Sequence, residues 1–186
     1  MNALNALQNL FRVTSFFSSS VGFLENMCLK NGLVSALEKL QGDVVVALQL
    51  LERDVNVQHV CCCLLSLLTE VFECGSEKLL QHLHNSSFFS GTLSLIVTLT
   101  NKVVSEEVFL GVLHYLKILS ESVPKVNELI ATSSTLFRRL FAFFQGDFAD
   151  TPVLQSSSFT YKLKICSLLL PVVFAALLSM HRNRAS

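Results

Sequence analysis

Apolar residues recur along this chain at intervals of three and four, and nothing alternates at period two for long. In Val57, Val60, Cys61, Leu64, Leu68, Val71 and Phe72 that spacing lays one stripe along a helix over 56–73. Gln58, Ser66, Thr69, Glu70 and Glu73 fall mostly off the stripe, and Cys74-Gly75 supplies a stop. A second helix over 105–121 has the same design. Ser105 is its expected N-cap, and Glu106 and Glu107 occupy the first turn, where acids complement the helix dipole. Val108, Phe109, Val112, Leu116 and Leu119 form its stripe, and Pro124 marks the following break. The fold class is all-α.

These two helices belong to a longer period. A shift of 48 sets Val55 on Val103, Val60 on Val108, Leu65 on Leu113, Leu68 on Leu116 and Glu73 on Glu121. A one-residue gap then changes the shift to 47, which sets Lys78 on Lys125, Ser86-Ser87 on Ser133-Ser134 and Leu93 on Leu140. Each copy reads as a long helix, a turn, a short helix, a polar Ser/Asn loop and another apolar helix. An earlier copy is visible in LNALQNLFRVTSFFSSSVGFLENMCLKNGLVSALEKL, with Asn31-Gly32 in its loop, and an incomplete one begins at FTYKLKICSLLL. Val60 and Val108 are expected to be equivalent buried positions.

The stretch DVNVQHVCCCLLSLLTEVFECGSEKLLQHLHNSSFFSGTLSLIVTL resembles an armadillo or HEAT unit. Those units repeat every ~40–47 residues. The resemblance implies an α-solenoid of three to four partly irregular repeats within one domain over 1–186. Approximate repeats fall at 1–53, 54–101 and 102–148, with an incomplete one at 149–186. Armadillo grooves carry an Asn ladder along their third helices, whereas LVSALEKLQ, SGTLSLIVTLT and STLFRRLFAFF contain no Asn. Importin-type binding of nuclear-signal peptides is therefore not implied. The Leu-, Phe-, Ser- and Cys-rich wording is also similar to armadillo-like vertebrate meiotic proteins of the meiosis-inhibitor type, which implies a meiotic role.

Composition narrows the partners. The 186 residues are 51% hydrophobic and only 15% charged, and 14 Lys and Arg balance 14 Asp and Glu. Zero net charge gives no electrostatic case for nucleic acid or for an anionic membrane surface. A mean hydropathy of +0.53 excludes a disordered chain, which would lack the apolar surface to offset ordering entropy. The N-terminus lacks the basic and apolar regions of a secretory signal, and Arg12 alone is a faint echo of a mitochondrial presequence. The six cysteines form no paired spacing typical of a secreted framework. A reduced cytoplasmic or nuclear setting follows.

Candidate chemistry is sparse. Cys61, Cys62 and Cys63 point ~100° apart on a helix, so they cannot converge on one tetrahedral metal. Cys61 reads as a small core residue, while Cys62 or Cys63 is expected to be partly accessible. His82 and His84, with Cys74 and His59 upstream, read as helix-surface residues rather than a zinc site. No nucleophile elbow, P-loop, GxGxxG or HExxH is present, so neither catalysis, cofactor nor metal is expected.

The function read from these features is a non-enzymatic protein–protein interaction scaffold, expected to be a fragment or short form of a larger armadillo-like protein with a meiotic role. Its expected partner contacts are Ser94, Thr98, Arg138 and Arg139, because an Arg fork suits carboxylates. Ile165 to Met180 carries no charge over 16 residues. As a helix it would span ~24 Å, short of the ~30 Å hydrocarbon core of a bilayer. The preferred reading is a buried repeat helix, and the alternative is a membrane tail anchor that makes the chain an adaptor. Neither end resembles a polar cap, so self-association is expected unless a partner or membrane covers the last helix.

Overall fold

Short polar side chains set where the helices start. Asp54 Oδ1 accepts the backbone N–H of Asn56 at 2.8 Å and of Val57 at 3.2 Å. Ser105 Oγ accepts the N–H of Val108 at 3.3 Å, and Ser133 Oγ that of Leu136 at 3.4 Å. Each bond satisfies an N–H that the first helical turn would leave orphaned. Pro124 opens its helix at the first position, where a missing N–H carries no penalty.

The structure, a computed structural model, describes residues 26, 30, 32–73, 77–85 and 87–185. Among them the regular elements are all helices: α1 (Leu33–Leu50), α2 (Val55–Glu73), α3 (Glu77–Asn85), α4 (Phe88–Asn101), α5 (Glu106–Ser122), α6 (Pro124–Thr132), α7 (Ser134–Phe144), α8 (Pro152–Gln155) and α9 (Phe159–Ala185). The expected Cys74-Gly75 stop and the first helix of the earliest repeat copy lie outside the described residues. The order long, short, intermediate occurs twice, as 19, 9 and 14 residues in α2–α4 and as 17, 9 and 11 in α5–α7. A shift of 47 carries the bounds of α3, Glu77–Asn85, onto those of α6, Pro124–Thr132.

The chain divides into two compact units, Met1–Thr98 and Leu99–Ser186, with the division inside α4. In the first unit α1 packs on α2. The buried positions of α1 (Leu33, Val34, Leu37, Gln41, Val44 and Leu48) follow the three-and-four spacing of a single stripe. Burial on α2 is wider, because Cys63, Leu65 and Leu67 are buried beside the expected Cys61, Leu64 and Leu68. Val60 departs from expectation. It is half-buried, since the start of α2 leaves a groove of about 250 Å3 against α1 that Val57 and Val60 line. One polar pair crosses this core: Thr92 on α4 donates to Gln41 Oε1 at 2.8 Å, and both residues are fully buried.

In the second unit α9 lies against α5, α6 and α7. Val108, Phe109, Val112, Leu116 and Leu119 are all buried, as the stripe predicts. Tyr161 Oη fastens the start of α9 by donating to the Glu106 carbonyl at 2.7 Å. Between α5 and α6, Ser120 Oγ donates to Asn127 Oδ1 at 2.6 Å, and Asn127 Nδ2 donates to the Ser120 carbonyl at 2.9 Å. Helix α7 ends where Gly146 adopts φ 80°, with N–H bonds from Gly146 to Phe143 and from Asp147 to Ala142. That paired arrangement needs a left-handed residue, which glycine adopts without strain.

The Gln41 Nε2 group is buried without a hydrogen-bond partner among the described residues. Removing only the hydroxyl at Thr92 orphans the other end of the same amide. Thr92→Val should therefore lose about 1–3 kcal/mol in denaturant unfolding, whereas the double variant Gln41→Met/Thr92→Val should recover most of that loss. Wild-type stability of Thr92→Val would show that the pair contributes nothing.

Candidate functional site

Helix α7 has two faces of opposite character. Leu136, Leu140 and Phe143 are buried, and the Phe143 ring meets Phe109 edge-on at 5.2 Å. Ser134, Thr135, Arg138, Arg139 and Ala142 fall on the opposite side at helical spacing. Together with Asn101 and Asp150 they line a groove of about 290 Å3 in the second unit. Its walls mix polar and apolar surface, unlike the apolar groove beside Val60.

The two arginines play different parts. Arg139 is half-buried and committed within its own unit. Its Nε donates to the Thr100 carbonyl at 3.4 Å and its Nη2 to Thr151 Oγ1 at 3.0 Å. The guanidinium carbon also sits 4.7 Å from the Phe143 ring centroid, a cation–π arrangement. These contacts use two of the five N–H donors and hold the fork in one orientation. Arg138 is exposed and makes no hydrogen bond or ion pair among the described residues. An exposed arginine next to a fixed one presents paired donors at the middle of α7. Asp150 on the rim is exposed, so the groove offers an acceptor as well as donors.

Of the four expected contact residues, Arg138 and Arg139 line this groove. Ser94 is exposed and Thr98 half-buried, one turn apart on α4 in the first unit. Asn101, Ser134, Thr135, Asp150 and Thr151 were not among the expected contacts. The polar positions of α7 could have been found from their helical spacing to Arg138. Thr100 and Thr151 could not, because they reach Arg139 only through the fold.

Cysteine and histidine sort by burial. Cys61 and Cys63 are buried and Cys62 is half-buried. Burial first, and the neighbouring Cys62 second, push the Cys61 thiol up to about 12. His82 is exposed on α3, and the His84 ring packs 5.8 Å from Phe89. Cys63 Sγ lies 3.6 Å from His59 Nε2 one turn away on α2. Among the described residues, no three His, Cys, Asp or Glu side chains converge on a common point. On α5, partial burial first, then Lys164 and Lys117, lower the pKa of His114 below its ordinary 6.5.

Two predictions follow from this chemistry. With the native protein at neutral pH, a thiol reagent should modify Cys62 and leave Cys61 unmodified, as read by peptide mapping. Rapid modification of Cys61 would contradict its burial. His114 binds its proton less readily folded than unfolded. Its contribution to stability should thus be full above about pH 6.5 and decline as pH falls toward the lowered folded value. Replacing it by His114→Gln should flatten that part of the stability–pH curve.

In comparison with known proteins, no family model, no curated protein and no solved structure matches this chain.

Proposed function

We propose that the chain is a non-enzymatic protein–protein interaction module of armadillo or HEAT type, a solenoid whose second unit grips an acidic residue of its partner. The twofold occurrence of a long, a short and an intermediate helix supports the repeat reading, as does the 47-residue step from α3 to α6. In repeat proteins such helices stack so that each unit buries its apolar face on the next, leaving an extended surface for partners. The single observation that carries the binding reading is the α7 groove. Arg138 is unengaged at its mouth, while Arg139 is already oriented by Thr100, Thr151 and Phe143. A partner carboxylate there would meet donors whose ordering cost the fold has partly met. Asp150 would favour a lysine or amide beside that carboxylate.

A tail-anchored adaptor is the alternative reading, and it draws on the apolar composition of α9. That helix is already buried along one face, with Ile165, Leu169 and Ala176 fully inaccessible and Tyr161 bonded to Glu106. Spanning a bilayer would strip those contacts from α5, α6 and α7.

Direct binding to an immobilised peptide library tests the proposal. Peptides bearing Asp or Glu should bind at least about tenfold more tightly than their Asn or Gln counterparts. Arg138→Glu should abolish that preference without changing the melting temperature, and Arg138→Lys should keep part of it. Identical binding by wild type and Arg138→Glu would refute the groove as the contact.

A further inference from the structure

Helix α9 is apolar on two sides, and only one of them is covered by the described residues. Its inner face buries Ile165, Leu168, Leu169, Val172, Val173 and Ala176. Its outer face exposes Phe159 (76%), Leu163 (53%), Leu170 (56%), Phe174 (61%), Leu177 (44%) and Leu178 (45%). Leu163, Leu170 and Leu177 recur every seven residues, and Phe174 and Leu178 lie beside them on the same side. From Phe159 to Leu178 the stripe runs for about 29 Å along a convex ridge.

The charges that border this stripe share one sign. No Asp or Glu occurs anywhere in α9, while Lys162, Lys164, Arg182 and Arg184 flank its apolar centre. Lys164 and Arg182 are exposed on one side of the stripe, whereas Lys162 on the other is half-buried, its Nζ donating to the Gln155 carbonyl at 3.0 Å and lying 5.6 Å from the Phe148 ring centroid. Helix α5, packed against α9, adds His114 and Lys117 near Lys164. The acids close by are Glu106, beside Tyr161 at the start of α9, Glu121, held by Lys117 at 2.7 Å, and Glu128, which shares a groove with Arg182. The zero net charge conceals a split. Residues 99–186 carry nine Lys and Arg against six Asp and Glu, and residues 1–98 carry five against eight.

We propose that this face docks on the surface of an anionic lipid bilayer, with α9 lying in the plane of the interface. Phe159, Leu170, Phe174 and Leu177 would enter the headgroup and upper acyl region. Lys164 and Arg182 would extend their stems alongside and place their charges among anionic headgroups. A fluid interface accepts long side chains from a convex ridge without needing matching holes. A second copy of the chain fits less well, because in-register parallel pairing of α9 sets Lys164 beside the other copy's Lys162, and antiparallel pairing sets it near Arg182. In-plane docking keeps the inner face on α5, α6 and α7, which a spanning helix could not.

Flotation of the full chain with vesicles is the test. Vesicles of phosphatidylcholine with phosphatidylserine should carry the protein upward, and vesicles of phosphatidylcholine alone should carry at least about tenfold less. Salt near 1 M should weaken the binding, since it shortens electrostatic reach to about 3 Å, and alkaline carbonate should release it. Lys164→Glu/Arg182→Glu should lose binding, whereas Arg138→Glu should bind as wild type does, which separates this face from the α7 groove. The chain has no tryptophan, so Phe174→Trp supplies a single reporter that should shift to the blue on phosphatidylserine vesicles only. Unchanged emission on those vesicles would overturn the proposal. So would equal flotation on both vesicle types, resistance to carbonate, or a Phe174-dependent dimer in light scattering that fails to float.

Discussion

With only 15% of its residues charged, this chain makes helices that carry more apolar surface than one neighbour can cover. Every other feature of the structure answers to that excess. Helix α2 is buried around Cys61, Cys63, Leu64, Leu65, Leu67 and Leu68, well beyond a single stripe. Helix α5 is buried on either side of its stripe, at Leu113 and Tyr115. Helix α9 has the same apolar excess, yet the described residues cover only its inner face. Burial is favourable at about 25 cal/mol per Å2, so an uncovered stripe of that length is a standing drive toward association.

Apolar contact has no direction, so polar groups fix the register of this packing. Thr92 on Gln41 ties α4 to α1, and Tyr161 on the Glu106 carbonyl ties α9 to α5. Ser120 and Asn127 hold the turn at Pro124, and Arg139 joins α7 to Thr100 and Thr151. Each is a bond across elements whose loss would leave a desolvated group behind. The arginine that serves this structural end also prepares the groove in which its neighbour Arg138 is left unengaged.

The second unit thus presents two surfaces of different chemistry. The α7 groove is partly polar and directional, with Arg138 and Arg139 on its wall. The α9 ridge is long, apolar and bordered by positive charge, suited to a broad anionic plane. Their charge requirements are compatible, since both favour a negative occupant. Their specificity is not alike, because hydrogen bonds select geometry whereas apolar burial selects only area.

Much was legible in the sequence because helix formation is local. The three-and-four spacing of α2 and α5, the cap at Ser105 and the break at Pro124 all depend on residues within a few positions of one another. Burial of Cys61 was legible for the same reason, through its place on the stripe. Tertiary structure alone decided what lies across from each face. Val60 shares the stripe of Leu64 and yet lines a groove, because its exposure depends on how closely α1 approaches. Arg139 reads as a surface charge beside Arg138, and becomes a fixed one only when Thr100, 39 residues away, offers its carbonyl. The apolar run from Ile165 to Met180 specified a helix needing cover on all sides. Which side would be covered was set by the placement of α5, α6 and α7, since periodicity states how much surface must be buried but not against what.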